Sequence, residues 1–156
     1  MKKIILKRWL LLCSMFILPL VTFAQVQNEK ETQVFDVVEQ MPAFDGAQIK
    51  VTDAATGEIK TIEIEKGDAG LMKYLRHTVK YPIVAEENGI QGKVICTFVV
   101  ERDGTISDVK VTKSVDPSLD KEAVRVLKSM PKWRPGKQKG ENVRVKYTVP
   151  VTFRLQ

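Results

Sequence analysis

Few side chains in this 156-residue chain could do covalent chemistry, and their spacing does not serve it. His77 is the one histidine and lies in a basic stretch, whereas Cys96 sits in the middle of the apolar run VICTFVV. A thiol nucleophile needs exposure and an imidazole within hydrogen-bond reach. A cysteine centred in such a run reads instead as a small core side chain. No Cys/His group has metal-ligand spacing, and no glycine-rich loop could cradle a phosphate. The expectation is a protein with no catalytic residue, no metal site and no cofactor. The basic run Lys132, Arg134, Lys137 and Lys139 could hold an anionic glycan or phosphate, but a solvated loop is the better account of it.

The formal net charge of +6 suggests nucleic acid, but four of the bases are Lys2, Lys3, Lys7 and Arg8. They precede an apolar run from Trp9 to Phe23 that ends in Thr22-Phe23-Ala24. This is the form of a secretory leader, with cleavage expected after Ala24. The run is shorter than the roughly 18 to 20 residues a spanning helix needs. An uncleaved inner-membrane anchor is the alternative. Without the leader, 21 bases face 19 acids, and the case for nucleic acid lapses. What remains is polarised: residues 25–70 carry 10 acids and 4 bases, residues 71–156 carry 9 acids and 17 bases. A basic half of this kind favours anionic partners.

The elements that must position any site follow from periodicity. A short strand is expected within Gln33 to Gly46, and a hairpin over Gln48 to Thr52 and Glu58 to Glu65. Leu71, Tyr74, Leu75 and Val79 define an amphipathic helix over Gly70 to Lys80. PIVAEENG, from Pro82 to Gly89, reads as a two-turn helix. The firmest hairpin joins Val94–Glu101 to Ile106–Val115 through Asp103-Gly104. Asp116-Pro117 then opens a helix to Met130, and Lys132 to Gly136 reads as a loop. Val143, Val145, Tyr147, Val149, Val151, Phe153 and Leu155 alternate with polar residues as a strand with one buried face. Pro150 cannot donate to a ladder, so that strand is expected at a sheet edge, where Arg144, Lys146 and Arg154 discourage stray pairing. An edge held open for a partner's strand is the functional counterpart.

Tyr81-Pro82-x-x-Ala85, Gly92-Lys93-Val94 leading into the Asp103-Gly104 hairpin, Ala123, Trp133-x-Pro135-Gly136 and the long last strand together resemble the TonB C-terminal domain over about Lys80 to Gln156. Phe44-Asp45-Gly46 and Leu71-Met72-Lys73-Tyr74-Leu75 resemble short periplasmic proteins built around it, with Ala47 to Ala69 as an inserted hairpin. The resemblance implies an α+β fold, a small antiparallel sheet with two helices on one face, preceded by that hairpin and a helix. The implied organisation is a signal peptide over 1–24, an acidic segment with the hairpin over 25–70 and the TonB-like domain over 71–156.

The same resemblance implies a periplasmic module of TonB-dependent transport. Its last strand, Val143, Arg144, Val145, Lys146, Tyr147, Thr148 and Val149, would pair with the N-terminal segment of outer-membrane receptors. Tyr81 and Pro82 would belong to a second receptor-facing region. Without a retained membrane helix and a proline-rich spacer, the expectation is the binding half of such a machine without its drive. An envelope scaffold holding peptidoglycan through the basic surface is the alternative. An open edge also leaves a homodimer with exchanged strands in play.

Overall fold

The computed structural model describes residues 32–52 and 56–155; the expected leader lies outside them. Two long strands form the spine, β5 (Gly92–Val100) and β9 (Glu141–Phe153), paired antiparallel from Gly92 opposite Phe153 to Val100 opposite Val145 with no shift of register. The alternation read from the sequence sets this register. Val145, Val149, Val151 and Phe153 point to one face and are buried there with Val94, Cys96, Phe98 and Val100. Each such side chain contributes roughly 1.5–3 kcal/mol on burial. A one-residue slip would turn all of them to water.

Ahead of the spine lie β1 (Val34–Phe35), β2 (Ala43–Phe44), the hairpin β3 (Ala47–Thr52) with β4 (Ile59–Ile64), and two helices, α1 (Gly67–Thr78) and α2 (Ile83–Glu87). After β5 come β6 (Ile106–Lys113), helix α3 (Pro117–Lys128), β7 (Trp133–Arg134) and β8 (Gly136–Gln138). The main sheet runs β1-β9-β5-β6, with β8 also on β9. From Val34 onward the chain is one compact unit. Phe44 of β2 and Ile64 of β4 share a core with Leu71, Leu75, Leu119, Val126 and Leu127 of the helices.

Local chemistry accounts for the boundaries. Asp116 caps α3 by accepting from the Ser118 amide at 2.8 Å, with Pro117 at the first helical position. Asp103 accepts from the Thr105 amide and hydroxyl, and Gly104 turns the chain at φ 82°. A Cβ on Gly104 would lie 2.0 Å from the Trp133 carbonyl oxygen, so only glycine permits the contact in which Trp133 N–H donates to the Gly104 carbonyl at 2.8 Å. Trp133 thereby enters an aromatic group with Phe98 at 5.3 Å, Tyr147 at 5.0 Å and Phe44 at 5.9 Å between ring centres.

The α+β architecture expected from the sequence is present, with three departures. The Lys132–Gly136 stretch is not a loop throughout, because β7 pairs with β2, Phe44 opposite Trp133, and Gly136 begins β8. The sheet is mixed, since β1 lies parallel to β9. The last strand is not an edge along its whole length. β8 pairs with it at Glu141 to Val143 and β1 at Arg144 and Val145, and among the described residues no strand besides β5 pairs with its C-terminal part. Two-residue pairings with partners about 90 to 110 residues away leave no periodicity to read.

Candidate strand-docking site

Pro150 fixes the sidedness of β9. It lies opposite Ile95, and a residue without N–H cannot belong to a hydrogen-bonded pair. Odd-numbered residues of β9 therefore direct their backbone groups at β5, and even-numbered residues direct theirs to the opposite flank. β8 closes onto β9 through the two-residue Lys139-Gly140 turn, with φ of 50° and 77°, which places Glu141 and Val143 in the odd-numbered series as well. β8 and β5 thus lie end to end along one flank. The other flank holds β1 at its start and, among the described residues, no strand from Thr148 to Phe153.

The residues singled out from the sequence divide accordingly. Val143, Val145 and Val149 are buried, their backbones turned to β8 or β5. Tyr147 is half-buried against Trp133, and its hydroxyl donates to Asp68 Oδ1 of α1 at 3.2 Å. Burial, followed by the Asp68 charge, raises the phenol above its ordinary value. Arg144 is occupied: its Nε and Nη2 donate to the two Glu101 carboxylate oxygens at 2.7 and 3.0 Å. The Ser107 hydroxyl donates to the same carboxylate. Hydrogen bonding from Arg144 holds Glu101 below the usual glutamate value despite partial burial. Lys146 and Thr148 are exposed and belong to the flank away from β5.

Tyr81 and Pro82 are held close to the end of β9. The Tyr81 hydroxyl donates to the Ile90 carbonyl at 2.6 Å, and its ring meets Phe153 edge-on at 5.9 Å. Pro82 caps the start of α2. Glu122 of α3 fixes the approach, accepting from the Lys80 amide at 2.7 Å and from Arg125, which also donates to the Thr78 carbonyl at 3.1 Å. Burial alone would raise the Glu122 carboxyl, but the bonds from Arg125 and Lys80 outweigh it and hold the group low.

These contacts shape a groove of about 950 Å3 that the sequence did not disclose. One wall is Met72, Leu75 and Arg76 of α1 with Val79 just beyond it; the other is Pro150 to Leu155, with Tyr81 and Glu86 between. The groove therefore runs beside the stretch of β9 whose flank is open. Its assembly from α1 and β9, far apart in the chain, explains why no motif announced it.

The other candidate groups do not converge on it. His77 is exposed on α1. Cys96 is fully buried and its thiol is pushed up to about 11, chiefly by burial and further by Asp120, so it stays protonated near neutral pH. The basic run is split between strands and a turn: Lys132 pairs with Asp103 at 3.3 Å, Arg134 lies in β7, Lys137 in β8 and Lys139 in the following turn.

Comparison with known proteins gives the family. Residues 77–155 match the family model described as Gram-negative bacterial TonB protein C-terminal, and the chain belongs to that family. Among curated proteins it is similar to Protein TonB of Helicobacter pylori strains J99 and 26695, 29% identical over 111 residues. That alignment covers 69% of this chain and 38% of each relative, so the chain matches well under half of their length. Among solved structures, the solution structure of the Helicobacter pylori TonB C-terminal domain, residues 194–285, aligns at 24% identity with a TM-score of 0.40. It covers 55% of this chain and 92% of that one. A longer fragment, residues 179–285, gives the same TM-score and identity over 79% of its length.

Proposed function

We propose that this chain is a periplasmic protein-binding module of TonB-dependent transport, one that docks an extended segment of an outer-membrane receptor along β9. The observation that carries the reading is the free flank from Thr148 to Phe153 beside the α1 groove. A strand added there would take main-chain bonds from Thr148 and Thr152 and from the Pro150 carbonyl. Alternate side chains would enter the groove over Met72, Leu75 and Val79. Main-chain bonds giving affinity and alternate pockets giving specificity is how strand addition works in general. The family membership supports the reading. Among the described residues no helix is long and apolar enough to cross a membrane, and the leader expected from the sequence would deliver the chain to the periplasm.

The test exploits the parity of β9. Thr148→Pro/Thr152→Pro removes two amides from the open flank without touching the β5 ladder. Fluorescence anisotropy with labelled peptides copying receptor N-terminal segments should show binding to the wild type and a loss of about tenfold or more in the double variant, as expected for two lost hydrogen bonds. Peptides N-methylated at alternate residues should lose binding for one parity only. Equal affinity for wild type and double variant would remove strand pairing as the mode of docking.

A further inference from the structure

The chain already occupies part of the flank that a partner would need. β1 lies parallel on β9, Val34 opposite Arg144 and Phe35 opposite Val145, just upstream of the open stretch. We propose that β1 is a displaceable latch, an intramolecular competitor that confines an incoming strand to the last part of β9 until it is peeled away. The inference rests on β9 being the docking strand.

Among the described residues, little holds β1 on β9. Its ladder is two residues long, and Val34 is 39% exposed. Beyond it, the Asp36 carboxylate meets Lys146 Nζ at 3.6 Å, with both side chains largely in water, a pairing that contributes little. The half-buried Phe35 is its main anchor.

The chain that follows is fastened independently. Gln40 exchanges two backbone hydrogen bonds with Lys137, at 3.1 and 2.8 Å. The Glu39 amide donates to Gln138 Oε1 at 3.1 Å, and the Glu39 carboxylate accepts from the Lys139 amide at 2.9 Å. Between this clamp and β1 run Asp36, Val37 and Val38, where Val37 is 80% exposed. Those three residues are the hinge. β1 can swing off β9 while everything from Glu39 onward stays in place.

Its departure changes what a partner finds. With β1 seated, the even-numbered positions on offer begin at Thr148. With β1 gone, the backbone groups of Arg144 and Lys146 join them, and the available ladder reaches from Val143 to Phe153. The stretch first expected from the sequence, Val143 to Val149, becomes accessible on that flank only in the unlatched form. Latch position therefore sets docking length, and with it affinity.

The register places residue 36 opposite residue 146, so a Cys13→Ser/Asp36→Cys/Lys146→Cys full chain closes the latch when oxidised and frees it when reduced. Phe35→Pro frees it by a different route. With labelled receptor N-terminal peptides, the oxidised form should bind about tenfold more weakly than the reduced form, the worth of roughly two ladder bonds, and Phe35→Pro should bind more tightly than wild type. Peptide binding at equal affinity to oxidised and reduced forms overturns the latch.

If no peptide binds any form, the docking reading falls, and amide exchange of the free protein decides the latch alone. Arg144 and Lys146, facing β1, should then exchange well ahead of Tyr147 and Val149, facing β5, and oxidation should slow them. Exchange of the residue 146 amide as slow as that of Tyr147, in the wild type and in the reduced variant, overturns it.

Discussion

The sheet has two outer flanks, and they are built to opposite ends. On one side β6 pairs with β5 through two register shifts, between Ile95 and Cys96 and between Thr97 and Val99. The extra residues lie on β6, where Asp108 takes φ 49° and Thr112 sends its hydroxyl to the Ile95 carbonyl at 3.0 Å. Lys110 and Lys113 add charge. Bulges and lysines of this kind keep an edge from templating another strand. On the other side, β9 keeps register with β5 over nine consecutive pairs, and its free stretch presents the short side chains of Thr148, Pro150 and Thr152. Its one blemish as a template is the missing Pro150 donor. Strand addition requires backbone regularity, which β6 lacks and β9 keeps.

The sharpest way to break that comparison is to put proline on each face of the same strand. Val149 sends its N–H to β5 and its side chain into the core, whereas Thr148 does neither. Val149→Pro should cost roughly 3 kcal/mol or more, by loss of a ladder bond, a ring clash and a lost core side chain. Thr148→Pro should cost under about 1 kcal/mol, a surface change with no ladder bond at stake. Urea unfolding of both variants measures the difference. Similar costs would mean that the flanks of β9 are not distinguished as Pro150 implies.

A smaller effect is expected where the two flanks are tied together. Arg144 of β9 grips Glu101, which follows β5, and Ser107 of β6 donates to the same carboxylate. The two side chains are about a quarter exposed. Arg144→Ala should destabilise by about 1–2 kcal/mol, between an exposed pair and a buried one. The pH dependence has a definite sign. The folded carboxyl lies below its ordinary value of 4.5, so protons favour the unfolded chain. The pair's contribution is in full force above about pH 5 and fades as pH falls through 4.5 and below. Glu101→Gln should flatten that part of the stability curve.

Much of this was legible before any coordinates. Strict alternation from Val143 to Phe153, the Asp-Gly turn and the Asp116-Pro117 cap each carry a local physical signature, and the elements they mark are present. Pro150 reads as a sign of an unpaired flank, and among the described residues a flank without a strand does begin at Thr148. Its extent is not legible because β1, which covers the same flank upstream, is two residues long and owes its existence to tertiary pairing. The groove escaped notice for a related reason. Leu75 and Val79 read as core positions of an amphipathic helix, and only the placement of α1 beside the end of β9 has them lining a cleft.

The mildest expected effect probes the irregular backbone of β6. Asp108 holds a left-handed backbone angle at a bulge, a conformation that costs most residues roughly 1–2 kcal/mol and aspartate somewhat less. Asp108→Gly removes that strain, but adds the backbone entropy glycine loses on folding, about 0.5–1 kcal/mol. It also gives up the exposed contact with Lys110 at 2.9 Å, which contributes little. The net should be a stability change within about 0.5 kcal/mol in urea unfolding, given these opposing terms. Sedimentation should show no new self-association, because the bulge itself survives. If instead the glycine variant associates through β6, then charge at position 108, and not the irregular backbone, is what separates the closed flank from the open one.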